Sequence, residues 1–392
     1  MAPRRSGPTQ PSGPTQPIEL LFLPGLAEAV AAEARERLGR TERLRPVPGR
    51  SDSLRLELRG PWDRLLELRT VVAAFAVLTF GVPRPRSLTS GEYLPRIVQT
   101  VQAVRDLEPG PPPASFRFDA AGPTSSGFRR LAEELGSATG LRHDQDGGDL
   151  VLRFRRAVER PGGWDVLVRL SSRPLSDRPW RVRNVPGAAN ATIAAAMARL
   201  TRPRPKDRVA NLMCGSGTLL VERLLTGPAG LGVGVDRDQE VLEACRENLA
   251  AAGLTNRAEL LHADVADDAW LARGPYDVLL ADPPWGTLVG DHADNPALYA
   301  TLLERAHRAA APAARLAVLT HEIRLMERCL DQAGHLWATE GVTRVYAKGH
   351  HPRIYLLRPA ATAPPPSRPA GPAAPGRPGR RTGRARPRRG SP

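Results

Sequence analysis

Apolar residues along this chain follow two rhythms in succession. Before residue 200, short alternating stretches are interleaved with stretches of helical spacing. The segment 18–23 (I-E-L-L-F-L) predicts a strand. After Pro24-Gly25, an amphipathic pattern predicts a helix that stops at Gly39. In 53–58, Leu54, Leu56 and Leu58 share one face, the mark of a half-buried strand. A helix is predicted over 62–68, and 71–80 is apolar enough for either a helix or a strand. The β-α-β-α order predicts a small α+β unit ending near residue 90. A second unit follows: a helix over 93–107, a break at P-G-P-P-P (109–113), a strand over 115–118 and a helix over 126–136. Two strands, 149–156 and 164–170, close it around a P-G-G turn. Arg153, Arg155 and Arg169 alternate with apolar residues there, which suits either a solvated sheet face or a phosphate-contacting surface. A segment over 171–190 then leads to a helix ending at residue 200.

From residue 207 the rhythm changes to short apolar runs, each followed by a helical pattern. Strands are predicted over 208–213, 231–236, 258–264, 276–281 and 315–320, and two more, 336–346 and 353–357, close the series. The link between the last two, A-K-G-H-H-P, is too short for a parallel crossover. The expected architecture is therefore an α/β domain with a seven-stranded, mostly parallel sheet and one antiparallel strand. His350 and His351 fall in that link and read as solvated loop residues.

Composition narrows the class. The chain has 392 residues, 41% hydrophobic and 25% charged, an ordinary globular balance with room for two or three domains. No apolar run reaches the length of about 18 residues that a membrane span needs. Residues 1–17 are rich in Pro, Gly, Thr and Gln, lack the apolar core of a secretory signal, and read as disordered. Cys214, Cys245 and Cys329 are too far apart for a zinc spacing or a disulfide framework, so no metal and a reducing cytoplasm are expected. The net charge of +15 suggests a polyanionic partner. Eight arginines in the tail 361–392, with Arg4 and Arg5, carry ten of those charges and leave +5 for the body. The tail reads as a disordered extension that binds polyanions or aids solubility.

The candidate chemistry centres on 276–286, Y-D-V-L-L-A-D-P-P-W-G. A buried strand ends at Asp282, where open α/β sheets bind ligands. Pro283 and Pro284 have fixed φ and stiffen the loop. The Asp282 carboxylate, the loop carbonyls and the flat face of Trp285 suit a planar ring bearing an amino group. Alone, the same residues also suit a plain turn. Upstream, N-L-M-C-G-S-G-T (211–218) is a glycine turn between strand and helix, but it lacks the third glycine of a dinucleotide site and the lysine of a P-loop. Asp236 ends the next strand, where a carboxylate accepts from ribose hydroxyls, and Asp264 ends the one after, where it accepts from an adenine amine. Three strands ending in aspartate beside a glycine turn point to a ligand rich in hydrogen-bond donors.

On these residues the chain resembles the Rossmann-like S-adenosylmethionine-dependent methyltransferases, and more narrowly the THUMP-domain RNA guanine-N2 methyltransferases. The resemblance covers 18–358, strongly after 174. It places the [DN]-P-P-[YFW] motif on Asp282, Pro283, Pro284 and Trp285. It places the donor site on Asn211, Cys214, Gly215, Gly217, Thr218, Asp236 with Arg237, and Asp264 with Val265. The domains it implies are a ferredoxin-like unit (18–90), a THUMP-like RNA-gripping unit (91–172), a connecting segment and helix (173–206) and the methyltransferase domain (207–360). Asn211 departs from the family's usual aspartate and Trp285 from its commoner tyrosine. The activity that the resemblance implies is methyl transfer to a guanosine N2 amine in tRNA, favouring the acceptor stem, by a cytoplasmic monomer. Ribosomal RNA, an adenine N6 amine, or a donor-less RNA-binding module are the alternatives.

Overall fold

The structure, a computed structural model, describes residues 15–39, 42–107, 111–284, 295–347 and 349–360. Its first part contains β1 (Gln16–Leu21), α1 (Ala27–Leu38), β2 (Glu42–Pro46), β3 (Ser53–Leu58), the short α2 (Asp63–Leu66) and β4 (Ala73–Phe80). These are followed by α3 (Tyr93–Arg105), β5 (Ser115–Asp119), α4 (Ser126–Thr139), β6 (Arg142–His143), β7 (Leu150–Arg156) and β8 (Trp164–Arg169). The described strands form one eight-stranded sheet in the order β2-β3-β1-β4-β8-β7-β5-β6. The ambiguous segment 71–80 is a strand because it pairs on both sides, with β1 and with β8. The β4–β8 pairing, from Phe75 opposite Arg169 to Phe80 opposite Trp164, carries the sheet across the boundary expected near residue 90. Gln16 and Pro17, read as disordered, belong to β1: Pro17 lies opposite Glu57, and Gln16 Nε2 donates to Val77 O at 2.9 Å. The short edge strands β2 and β6 carry no clear alternation and were not expected.

The alternating arginines of β7 and β8 fit neither expectation. Arg155 donates to both carboxylate oxygens of Glu19, at 2.8 and 2.5 Å. Arg169 is buried and donates to the carbonyls of Ser171 and Asp149. Arg153 pairs with Asp119 at 2.7 Å and lies over the Phe75 ring. Each is tied down within the fold, because the sheet brings acids and carbonyls to it from strands distant in sequence.

The second part comprises α5 (Ala191–Leu200), β9 (Val209–Leu212), α6 (Thr218–Thr226), β10 (Gly232–Asp236), α7 (Gln239–Ala251), β11 (Ala258–His262), β12 (Tyr276–Ala281) and α8 (Asn295–Arg308). It ends with β13 (Ala310–Thr320), α9 (Ile323–Gln332), β14 (Trp337–Arg344) and β15 (Arg353–Pro359). Its seven described strands are ordered β11-β10-β9-β12-β13-β15-β14, and only β15 runs against its neighbours. This is the expected Rossmann-like sheet. Val209, Ala210, Val278, Leu279 and Leu280 are fully buried, as parallel strands covered on both faces must be.

The two sheets share an apolar core, sealed by a charged junction. Glu222 on α6 is fully buried and accepts from Arg69 Nε and Nη2, at 2.7 and 2.8 Å, and from Arg178 Nε at 2.8 Å. Glu33 on α1 accepts from the Thr70 amide and hydroxyl at 2.7 and 2.6 Å, and Arg199 on α5 lies 3.4 Å away.

Candidate active site

A cavity of about 870 Å³ opens outside the carboxyl ends of β9, β10, β11 and β12. This is where open α/β sheets bind ligands. One side is the glycine turn between β9 and α6. Gly215 and Gly217 have φ of 54° and 83°, a region that disfavours other residues. Space restricts Gly217 as well, since a Cβ there would meet Cys245 Sγ at 2.4 Å. The turn is held from below. Asp236, at the end of β10, accepts from the Gly215 amide at 2.8 Å and from the Asp238 amide at 3.1 Å. Asp238 in turn caps α7 by accepting from the amides of Glu240 and Val241.

The residues assigned from sequence divide into four groups. Cys214, Gly215, Thr218, Asp236, Arg237, Asp264 and Val265 line the cavity with Asp282, Pro283 and Pro284. Gly217 shapes the turn without lining the cavity. Asn211 is fully buried and is not among the residues that line the cavity. Its amide donates to the carbonyls of Leu280 and Leu212 at 3.3 and 3.4 Å, and its Oδ1 accepts from the Leu220 amide at 3.2 Å. It therefore ties β9 to β12 and α6 rather than facing a donor. Trp285 lies outside the described residues, as do residues 1–14, Lys348 of the last link and the arginine tail.

Asp264 sits just past β11 and accepts from the Ala266 amide at 2.9 Å, with Arg237 Nη1 3.7 Å away. Asp282 follows β12 directly. The residue is open in part through the cavity, but its Oδ1 is shut off from solvent and has no hydrogen-bond partner among the described residues. Desolvation pushes this carboxyl up from 3.8 to about 7. Such a carboxyl is poised to accept a hydrogen bond from something that enters the cavity. Tyr299 of α8 is fully buried, its hydroxyl 2.6 Å from Thr320 Oγ1, and desolvation raises its pKa.

Among the described residues the lining carries five acids, Asp236, Asp238, Glu240, Asp264 and Asp282, against two bases, Arg183 and Arg237. A cavity of that sign disfavours phosphates and suits a cationic ligand with many donors. The sequence does not reveal a further part of the lining, residues 183 and 185–189 of the connector, as well as Ser216, Asn295 and Thr301. The small residues of V-P-G-A-A (185–189) allow close approach, which was the available signal.

Fold and site together define a Rossmann-like methyltransferase domain. Residues 178–353 match the family described as UPF0020, RMKL-like methyltransferase domain. The match takes in the connector and α5. Among named relatives, a tRNA (guanine(6)-N2)-methyltransferase of Thermus thermophilus is 32% identical over 193 residues, 48% of this chain and 55% of that one. The tRNA (guanine(6)-N(2))-methyltransferase THUMP3 of Mus musculus is 25% identical over 218 residues, 51% of this chain and 42% of the relative. The chain thus spans about half or less of the length of these curated relatives. Among solved structures, TrmN from Thermus thermophilus superposes with a TM-score of 0.68 at 26% identity, covering 88% of this chain and 100% of that one. SMU.472, solved with SAH, gives 0.61 at 15% identity over 89% and 99%, a likeness of fold alone.

Proposed function

We propose that this protein transfers a methyl group from S-adenosylmethionine to the exocyclic N2 amine of a guanosine in tRNA. Position 6, which appears in the names of the Thermus and mouse relatives, is the first candidate for the acceptor-stem guanosine. The observation that carries this reading is the buried oxygen of Asp282, without a hydrogen-bond partner among the described residues, at the edge of an acid-lined cavity on the strand ends.

The donor's demands match the residues present. Asp236 and Asp264 offer carboxylates to ribose hydroxyls and an adenine amine, and the excess of acids suits its positive charges. When bound, S-adenosylmethionine supplies an electrophilic methyl on a sulfonium. Asp282 and the carbonyl of Pro283 accept the N–H groups of the target amine, so that its lone pair is localised and aimed. Positioning then carries most of the rate, and the acceptors are in place beforehand. With its pKa near 7, the Asp282 carboxyl can also take up the proton that the methylated amine sheds. The target base leaves its stack to reach the cavity, and Trp285 supplies the stacking face.

In the same reading, 18–90 and 91–172 act as the ferredoxin-like and THUMP-like RNA-gripping units. The exposed Arg130 and Arg142 are then better placed for phosphates than the internally paired arginines of β7 and β8. The protein is read as a cytoplasmic monomer; among the described residues no helix is long and apolar enough to cross a membrane, and no group of side chains suits a metal ion. One relative, the rRNA N(6)-adenosine-methyltransferase metl-5 of Caenorhabditis elegans, is 37% identical over 81 residues, so adenine is the second candidate base. Tritium-methyl transfer to total tRNA and ribosomal RNA, followed by nucleoside mass spectrometry, tests the proposal. N2-methylguanosine in the tRNA fraction is the expected product. N6-methyladenosine, or label only in ribosomal RNA, would overturn the choice of substrate, and no transfer at all would overturn the enzyme reading.

A further inference from the structure

The connector between the two sheets also builds the site. Its residues 183 and 185–189 line the cavity, although they belong to no strand of the methyltransferase sheet. Two side chains fasten this wall to the glycine turn. Arg181 Nη2 donates to Ala189 O on the connector and to Thr218 Oγ1 at the start of α6, both at 2.9 Å. Asn248 of α7 is fully buried. Its Oδ1 accepts from the Arg183 amide at 2.9 Å, while its Nδ2 donates to Arg183 O at 2.9 Å and to Ser216 O at 3.0 Å. Each side chain thus has one end on the connector and the other on the turn. Arg181 is largely desolvated, with its guanidinium over the buried Trp180 ring, so its place is fixed by packing as well as by hydrogen bonds.

We propose that Arg181 and Asn248 are positioning residues for the methyl donor, holding the connector as the second wall of its site. The inference rests on reading the cavity as the donor site. Without either tie, the wall must be re-ordered at each binding event, and apparent affinity drops by the fraction of time it is correctly placed. The amine-orienting end at Asp282 is formed by a different strand, so the chemical step is spared.

The test uses the full chain with Arg181→Lys and Asn248→Ala. A lysine keeps the charge, but its Nζ stands one bond nearer the backbone than the Nη2 that donates to both acceptors, so it cannot reach the two together. Calorimetry with S-adenosylhomocysteine should show affinity weakened about tenfold or more in each variant. The donor KM should rise to match, while kcat at saturating donor and the KM for tRNA change less than about twofold. Should Asn248→Ala not fold, Arg181→Lys decides alone. A wild-type protein without affinity for S-adenosylhomocysteine would overturn the donor-site reading itself. A wild-type protein that binds, with variants that bind as tightly, would overturn only this inference. So would kcat and both KM values worsening together, which is the mark of general structural damage.

Discussion

Replacing Asp282 with asparagine separates the chemistry of this carboxyl from its cost to the fold. Desolvation holds the group at about 7, against an ordinary value of 3.8. Between those values the folded chain keeps a proton that the unfolded chain has released. The native state binds the extra proton, so stability declines as pH rises. The decline begins near 3.8, runs to about 7 and is complete above it. At about 1.36 kcal/mol per pH unit, the whole gap is worth at most about 4 kcal/mol. Water in the cavity screens part of it, so about 1–2 kcal/mol is expected between pH 5 and pH 8. The amide of Asp282→Asn has the shape of the protonated acid and never ionises. Denaturant unfolding of both ligand-free proteins at several pH values measures the difference. The advantage of the variant should grow from pH 5 to pH 8 by that amount. A difference that stays constant with pH would refute the claim that burial raises this carboxyl.

Other outcomes follow from the same geometry. Asp282→Ala should lower turnover by about 10²-fold or more while calorimetry still detects donor binding; loss of both would mean that Asp282 serves the donor rather than the amine. In wild type, kcat/KM should fall as pH drops below about 7, because protonation removes the acceptor for the amine, and a pH–rate profile of Asp282→Asn should lack that acid limb. Glu222→Ala should destabilise the chain by about 3–5 kcal/mol in denaturant titration, since it strands Arg178 and Arg69 at the junction of the two sheets. Gly217→Ala should cost about 1–2 kcal/mol of stability and weaken donor binding in calorimetry, because φ of 83° and the neighbouring Cys245 both resist a Cβ.

Much of the methyltransferase sheet was legible because its signals are local. Apolar runs of strand length, most of them followed by helical spacing, gave β9 to β13, and the short link after β14 predicted one reversed strand, which the pairing assigns to β15. The three aspartates were legible for the same reason: each stands where an apolar run stops. The N-terminal part was harder. Segment 71–80 has no period that separates helix from strand, and only its pairing with β1 and β8 decides it.

By itself, then, the sequence determined the strand–helix alternation, the glycine turn and the positions of Asp236, Asp264 and Asp282 at or just past strand ends. Periodicity and turn chemistry act over a few residues and can be read along one dimension. Tertiary structure decided what those residues face. It sent Asn211 into the core, paired the β7 and β8 arginines with Glu19, Asp119 and backbone carbonyls, and brought the connector against the glycine turn through Arg181 and Asn248. It also set the proton affinity of Asp282, because desolvation depends on every atom that closes around a group, and those atoms come from segments far apart in the chain.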